Sequence, residues 1–199
     1  MASRFFLCIY LGGLVVISIV RIGYVMHRDK REPVARVHGV LDSILMGLTG
    51  TGLGAFPLLV AFTDWLAFAD YRLPAWAGWV GVVVYMAALI LLWRSHADLG
   101  VNWSPKVEAK QDQQLVTRGV YRWVRHPMYA AHWLWAAAQA LLVANWLAGP
   151  AFLVTFWPLY LVRVPREERM LEARFGDEYR RYARCTGRIV PRMGRAQRP

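Results

Sequence analysis

Two short stretches hold most of the side chains that could do chemistry. The first, RWVRHPMYAAHWLW (122–135), sets a histidine, a proline and a tyrosine directly before an apolar run. The second, LVRVPREERMLEARFGDEYRRYARCTGRIVPR (161–192), follows an arginine with two adjacent glutamates. An arginine binds a carboxylate through two parallel hydrogen bonds, and a glutamate accepts hydrogen bonds and offsets positive charge. Together the two stretches predict a site for charged ligands at the edge of an apolar region.

The His-Pro pair in the first stretch predicts the start of a helix. Pro127 suits a first helical turn, and it favours an extended conformation for His126. The backbone amides that follow face outward and suit an anionic group, with His126 and Tyr129 as side-chain partners. The residues leave a second interpretation open, in which Arg125, His126 and Tyr129 only anchor the chain at a membrane interface. His132, one turn further on, should face protein or a cavity.

The second stretch predicts two helices beyond an apolar segment that ends at Arg163. Pro165 is expected to begin a new helix, with Glu167 and Glu168 in its first turn, where acids complement the helix dipole. A glycine at 176 supplies a stop, and Asp177 is expected to cap a second short helix. The tail should therefore fold back onto the membrane face.

The composition indicates an integral membrane protein. Of 199 residues, 57% are hydrophobic and only 19% are charged, with 10 Trp, 9 Tyr and 8 Phe. This is too apolar and too aromatic for an ordinary soluble domain. The two cysteines, Cys8 and Cys185, lie far apart in sequence, so we expect neither a disulfide framework nor a metal site.

The hydropathy pattern predicts about five membrane-crossing helices, each needing about 20 apolar residues. The predicted fold class is an all-α integral membrane protein with a C-terminal helical hairpin, a cytoplasmic cofactor-enclosing loop and tail helices. The hairpin should turn at 145–150, and the chain divides into a three-helix region (1–93) and a catalytic region (94–199). The predicted crossings are Phe5–Val20 extending towards Met26, Val40–Phe62, Ala75–Trp93, Tyr129–Leu147 and Pro150–Val162.

The charge distribution predicts the orientation. The net charge is +11, and the basic residues concentrate in the first loop, the third loop and the tail, whereas the second loop (63–74) has one arginine. By the positive-inside rule the basic loops and the C-terminus are cytoplasmic and the N-terminus lies outside. Basic loops that alternate with apolar spans favour contact with anionic membrane lipids over nucleic-acid binding.

A glycine-rich run, GLTGTGLGAF (47–56), superficially matches a dinucleotide-binding fingerprint. It follows no strand and lies within an apolar span, so helix packing is the better interpretation. The spacing of Gly50 and Gly54 suggests that these two permit a close approach of helices.

The predicted hairpin brings the polar residues together. Because its two ends lie on the same side of the membrane, Arg163 and Glu167 are expected to meet His126 and Tyr129 at the cytoplasmic boundary.

The two motif-bearing stretches together resemble a known family. GVYRWVRHPMY, followed after one hairpin by RVPREERMLEARFGDEYRRY, resembles the isoprenylcysteine carboxyl methyltransferases and their prokaryotic relatives. The resemblance implies an integral membrane enzyme that uses S-adenosylmethionine without a soluble Rossmann-type domain. Its type substrate is the carboxylate of an isoprenylated cysteine, a lipophilic acceptor that enters from the bilayer.

The resemblance also implies roles for particular residues. Arg163 would face the substrate carboxylate and Glu167 would hold the cofactor, and these two are the expected catalytic residues. One departure is Gln113, where relatives often carry histidine. The positions that match the family's cofactor-binding residues are Lys106, Gln113, Gln114, Leu115, Val116, Tyr121, His126, Pro127, Met128, Tyr129 and Glu167.

Three other functions remain open from the sequence. The acceptor could be another amphiphile, such as a phospholipid amine or a thiol. The chain could be a nicotinamide-dependent oxidoreductase like the sterol reductases, which share a loosely similar His-Pro-x-Tyr arrangement. A non-catalytic scaffold that binds anionic lipid is the third. The sequence leaves the oligomeric state open.

Overall fold

Seven α-helices form most of the computed structural model, which describes residues 2–27, 35–36, 39–100, 108–109 and 114–192. Short 3₁₀ turns at Ala67–Ala69 and Gly119–Arg122 connect them, and one π-helical turn, Thr51–Ala55, joins the second helix to the third. The helices are α1 (Ala2–His27), α2 (Val40–Gly50), α3 (Phe56–Phe62), α4 (Ala75–Leu99), α5 (Pro127–Val143), α6 (Ala148–Phe175) and α7 (Asp177–Cys185).

Three segments of the described chain are long and apolar enough to cross a membrane: Arg4–Met26, Val40–Phe62 and Ala75–Leu99. They coincide with the first three predicted crossings. Large apolar side chains on them point outward, including Ile19 on α1 and Val83 on α4, as contact with lipid requires. The hairpin of α5 and α6 is shorter. Helix α5 has 17 residues, which span roughly 25 Å, so its crossing of a bilayer core of about 30 Å stays a prediction.

A buried glutamine connects three parts of the bundle. Gln139 on α5 is fully buried, and its side-chain amide donates hydrogen bonds to the carbonyls of Gly52 (2.9 Å) and Ala148 (2.7 Å). Its Oε1 accepts a hydrogen bond from the Tyr10 hydroxyl on α1 at 2.6 Å. Trp135 in turn donates to the Tyr10 oxygen at 3.2 Å. Because these polar groups satisfy one another, they can lie in an apolar interior at little cost.

The π-helical turn brings the second crossing into contact with α6. A Cβ atom added at Gly52 would lie 2.1 Å from Thr155 Oγ1 and 2.7 Å from the Ala151 carbonyl oxygen. By contrast, a Cβ at Gly50 or Gly54 would meet no atom within 4 Å. The prediction that Gly50 and Gly54 permit the close approach is therefore wrong. The extra residue of the π turn rotates the helix so that Gly52 faces α6 instead.

The hairpin turn, residues 144–147, overlaps the predicted 145–150 but ends earlier, because α6 already begins at Ala148. Helix α5 ends at Val143, and Asn145 Oδ1 accepts hydrogen bonds from the amides of Leu147 and Ala148, both at 3.0 Å. The Asn145 side chain also donates to Asp70 Oδ1 in the second loop at 2.8 Å. The second loop and the hairpin turn therefore share one end of the bundle.

The first and third loops meet at the other end. Two-residue strands, β1 (Ala35–Arg36) and β2 (Glu108–Ala109), pair in antiparallel fashion with Ala35 opposite Ala109. Helix α4 runs from the second loop to the third, so the paired strands lie at the end opposite the hairpin turn. The first and third loops therefore lie at one end of the bundle, and the side of the membrane that this end faces stays a prediction.

Two predictions for the C-terminal helices are wrong. Pro165 does not begin a new helix, because α6 runs unbroken from Ala148 to Phe175 with Pro158 and Pro165 inside it. Glu167 and Glu168 therefore lie far from a helix start, so a helix dipole does not account for their placement. Asp177 is the first residue of α7, whose N-cap is Gly176, and it makes no capping hydrogen bond.

The Gly52 contact gives a test of the packing. Gly52→Ala should destabilise the folded protein by about 1–3 kcal/mol, because the new methyl group has no room against α6. For a chain of this size the melting temperature in detergent should fall by roughly 2–12 °C. Gly54→Ala, two residues along the same turn, should not lower it. Equal losses for the two variants would contradict the assignment of the close contact to Gly52.

Candidate active site

One end of the bundle collects the ionisable side chains of five helices. The end of α1, the beginning of α2, the end of α4, the beginning of α5 and the charged half of α6 all lie there. We use the term polar cluster for the interacting set of Asp42, Arg125, His126, Tyr129, Arg163, Glu167, Glu168 and Arg188.

The His-Pro pair begins α5 as the sequence predicts. Pro127 is the first residue of the helix, and His126 is its N-cap residue with φ −125° and ψ 63°. The backbone before it pairs with the tail: the amides of Arg125 and His126 donate to the carbonyls of Gly187 (2.8 Å) and Arg188 (2.9 Å). The tail thus fixes the position of His126. Sequence reasoning missed this pairing, because the tail carries no strand-like pattern.

His126 lies between the two adjacent glutamates. Its Nδ1 is 3.6 Å from Glu167 Oε2, and its Nε2 is 3.3 Å from Glu168 Oε1. The Tyr129 hydroxyl donates a hydrogen bond of 2.5 Å to Glu167 Oε1. The whole His126 residue is only 6% exposed. The predicted meeting of Glu167 with His126 and Tyr129 is therefore observed, and these side chains do more than anchor the chain at an interface.

Glu168 connects α6 to both neighbouring segments. Arg125 donates to its Oε1 from Nε (3.2 Å) and Nη2 (3.0 Å), and Arg188 Nη2 lies 2.5 Å from its Oε2. Burial alone would raise the pKa of Glu168, but hydrogen bonds from His126, Arg188 and Arg125 outweigh burial and lower the pKa to about 2. Glu168 is therefore ionised at neutral pH and holds the segment before α5 and the tail against α6.

Arg163 forms an ion pair that the sequence analysis did not find. Its Nε lies 3.3 Å from Oδ1 of Asp42 on α2, and 3.8 Å from Glu167 Oε1 one turn along α6. Asp42 is 1% exposed and Arg163 is 9% exposed. The sequence did contain a sign of such a pair. Asp42 lies inside an apolar span, where an aspartate is costly unless a partner or a function compensates for it. Asp42 therefore offsets much of the positive charge of Arg163.

Tyr121 lies beside the polar cluster and connects the end of α4 to α7. Its hydroxyl donates to the Ser95 carbonyl at 3.3 Å, and its own carbonyl accepts from the Tyr182 hydroxyl at 2.6 Å. Burial, with the charges of neighbouring groups that include Glu167, raises the pKa of Tyr121 well above its ordinary value. Tyr121 therefore stays protonated at neutral pH.

The turn that positions Tyr121 depends on a glycine. Gly119 has φ +62°, and a Cβ there would lie 2.1 Å from Oδ2 of Asp98. The same oxygen accepts a hydrogen bond from the Val120 amide at 2.8 Å. A side chain at position 119 would therefore displace the carboxylate that holds the turn against α4.

The other predicted cofactor positions fall into two groups. Pro127 is buried and Met128 packs against the apolar core, so both shape the site without extending polar groups into it. The loop residues remain separate: Gln114 is exposed, Leu115 and Val116 are half-buried, and no described hydrogen bond joins these three to the polar cluster. Lys106 and Gln113 lie outside the described residues.

The arrangement places a cation and a carboxylate side by side at the edge of an apolar region. Arg163 suits an anionic oxygen, and Glu167, with 22% of its side chain exposed, suits a positively charged or hydrogen-donating group. Both ring nitrogens of His126 already face carboxylates, so the ring is poorly placed to remove a proton from a ligand. The geometry therefore favours a reaction that needs no general base.

Comparison with known proteins points to one family. The model of the isoprenylcysteine carboxyl methyltransferase family matches residues 79–173, which include the His-Pro pair and both glutamates. Protein-S-isoprenylcysteine O-methyltransferase A of Arabidopsis thaliana is 29% identical over 78% of this chain and 82% of its own length. The Tribolium castaneum protein-S-isoprenylcysteine O-methyltransferase is 29% identical over 67% of this chain, which spans half the length of that relative.

A solved structure agrees with the sequence matches. The structure of the eukaryotic intramembrane Ras methyltransferase, an isoprenylcysteine carboxyl methyltransferase, superimposes with a TM-score of 0.52 at 26% identity. The match covers 78% of this chain and 54% of that one. These matches show that this apolar helical bundle, with its His-Pro and Glu-Glu motifs in contact, resembles the isoprenylcysteine carboxyl methyltransferase family, and they support an integral membrane protein.

Proposed function

We propose that this chain is a methyltransferase that uses S-adenosylmethionine to methylate the carboxylate of an isoprenylated cysteine. The names of its relatives support the reaction. The observation that carries the proposal for this chain is the placement of Arg163 beside Glu167, which contacts His126 and Tyr129. A site for an acceptor anion and a site for a cationic donor thereby lie next to each other.

The membrane arrangement is part of the proposal. We place the polar cluster at the cytoplasmic boundary and the N-terminus outside, with the α5–α6 hairpin crossing the bilayer as a fourth and fifth span. The paired strands β1 and β2 support a common side for the first and third loops, and the basic residues of these loops make that side cytoplasmic. A water-soluble donor then enters from the cytoplasm and a prenyl chain enters from the bilayer.

The residues of the polar cluster fit S-adenosylmethionine. Its amine and ribose hydroxyls are hydrogen-bond donors, and Glu167 offers them a partly exposed carboxylate while offsetting the positive charge of the sulfonium. When bound, the cofactor supplies an electrophilic methyl group on sulfur. His126 and Tyr129 position Glu167. The family resemblance extends the cofactor site to Tyr121, Pro127 and Met128, and to the loop residues Lys106, Gln113, Gln114, Leu115 and Val116.

The chain's own residues make the carboxylate acceptor reactive without a base. A carboxylate is already ionised at neutral pH, so it needs orientation and removal of water. Arg163 provides the orientation, with Asp42 holding the guanidinium in place. Aromatic rings beside Tyr129, namely Phe156 (6.2 Å between centroids) and Tyr160 (5.9 Å), form an apolar wall. A reaction between oppositely charged groups that become neutral is accelerated when water is excluded and the two groups are aligned.

The structure also bears on the choice of acceptor. An amine acceptor must lose a proton, and the histidine nearest to the site already faces Glu167 and Glu168. The direct test is methyl incorporation from labelled S-adenosylmethionine into a farnesylated N-acetylcysteine. The same assay with a phospholipid amine and with a lipophilic thiol tests the other acceptors. A measurement of NADPH binding tests the oxidoreductase alternative. Labelling of the amine or thiol alone, or binding of NADPH alone, would overturn the proposal.

Loss of the Glu167 charge should weaken cofactor binding. Glu167→Gln should raise the Kd for S-adenosylmethionine by roughly tenfold or more, because a charged hydrogen-bond acceptor is lost from a partly buried site. Calorimetric titration of the detergent-purified protein measures it. Glu172→Gln, about one turn along α6 at an exposed position, is the matched control and should leave the Kd unchanged. An unaltered Kd in Glu167→Gln would remove this residue from the cofactor site.

Arg163 should matter for turnover and not for cofactor binding. Arg163→Ala should lower kcat/KM for the prenylated substrate by roughly a hundredfold or more, because the acceptor carboxylate loses a buried partner. Arg163→Lys keeps a charge opposite Asp42 but loses the bidentate geometry, so its turnover should also fall while its melting temperature stays near that of wild type. Arg169→Ala, further along α6 and exposed, is the control. Normal turnover in both Arg163 variants would refute the carboxylate role.

A further inference from the structure

Because Arg163 is paired with Asp42, it offers little uncompensated positive charge to the proposed acceptor carboxylate. Arg163 already lies 3.3 Å from a carboxylate oxygen of Asp42, and its other acidic neighbour, Glu167, lies at 3.8 Å. An acceptor carboxylate that entered this site would face a guanidinium group whose charge is largely offset. A second cation that no carboxylate neutralises would remove the difficulty.

Among the described residues, Arg21 on α1 is such a cation. It lies within the apolar segment Arg4–Met26, and its side chain is mostly enclosed by the bundle. It makes no hydrogen bond or ion pair to any residue in the described part of the chain. A cation in this setting is costly unless an anion or water compensates for it. Arg21 is therefore a candidate ligand-binding residue that the polar cluster does not use.

The packing of α1 directs Arg21 toward the site. Ile17, one turn before it, is buried in the core, and the ring of Tyr24, one turn after it, lies 5.1 Å from the ring of His96 on α4. Residues three and four positions apart share one face of a helix. Arg21 therefore belongs to the inward face of α1.

Its electrostatic neighbours identify the space that it faces. The charge of Arg21 interacts with that of Arg163 on α6, and also with His96 on α4 and His132 on α5. All of these neighbours are basic groups, so nothing among them attracts a cation. An anion bound between these basic groups and Arg21 would attract the Arg21 side chain.

We infer that Arg21 is a second binding group for the acceptor carboxylate, which Arg21 and Arg163 hold from two sides. This rests on the proposed function. Asp42 offsets one of the two guanidinium charges and Glu167 serves the cofactor, so one positive charge remains for the acceptor. Both Arg21 and Asp42 lie outside residues 79–173, which the family model matches.

S-adenosylmethionine also carries a carboxylate, and the position of Arg21 favours the acceptor. Ile19 and Ile22, its neighbours on α1, are largely exposed on the outer, lipid-facing surface of the bundle. Arg21 thus lies on a helix whose other face borders the lipid, the phase from which a prenylated substrate would arrive. The proposed cofactor residues His126 and Glu167 lie instead beside the tail.

The test compares a carboxylate ligand with a neutral one. The probes are farnesylated N-acetylcysteine as substrate and its carboxamide as a competitive inhibitor, together with the Kd for S-adenosylmethionine. Arg21→Gln should raise KM for the substrate roughly tenfold or more, leave the carboxamide inhibition constant unchanged, and keep the cofactor Kd within about twofold of wild type. Arg21→Lys should restore part of the loss.

Arg4→Gln, at the other end of the same helix, is the control and should behave as wild type. An unchanged KM in Arg21→Gln would overturn the inference. So would equal weakening of substrate and carboxamide, which indicates a packing role, or a raised cofactor Kd with unchanged KM, which assigns Arg21 to the cofactor carboxylate. Inactive wild-type protein would instead refute the proposed function on which the inference rests.

Discussion

The structure depends on the pairing of charges at the boundary of an apolar bundle. Glu168 is the central group, because it accepts from Arg125 before α5 and from Arg188 in the tail while it faces His126. These contacts fix α5, α6 and the tail relative to one another. Without them, the packing of α6 at this end would depend more on apolar surfaces, and apolar surfaces in lipid give little specificity of register.

The two adjacent glutamates therefore have different tasks. Glu168 is surrounded by cations and stabilises the structure around it, whereas Glu167 is bound by a tyrosine hydroxyl and remains partly open. A helix presents successive residues about 100° apart, so neighbouring side chains can face different surroundings. Arg163, one turn before Glu167, lies on the same face as the open glutamate, which brings the proposed anion and cation sites together.

Hydropathy was enough to predict the first three spans, and the hairpin was enough to predict that Arg163 and Glu167 approach His126 and Tyr129. Contacts between distant helices could not be predicted. The pairing of Asp42 with Arg163 depends on how α2 rotates about its own axis, and the π turn that contributes to this rotation has no sequence signature. Pro165 was misread for a related reason: a proline that removes one hydrogen bond bends a helix without ending it when tertiary contacts hold both halves.

The π turn at Thr51–Ala55 has a consequence for both halves of the second crossing. Above it, Asp42 must face Arg163, and within it, Gly52 must face Thr155 and the amide of Gln139. The one additional residue in the π turn rotates the residues before it by about 100° about the helix axis, relative to the residues after it. Deleting a single residue there would regularise the helix and yet turn either the aspartate or the glycine toward lipid. The irregular turn thus sets the rotation of the Gln139 hydrogen-bond network relative to the polar cluster.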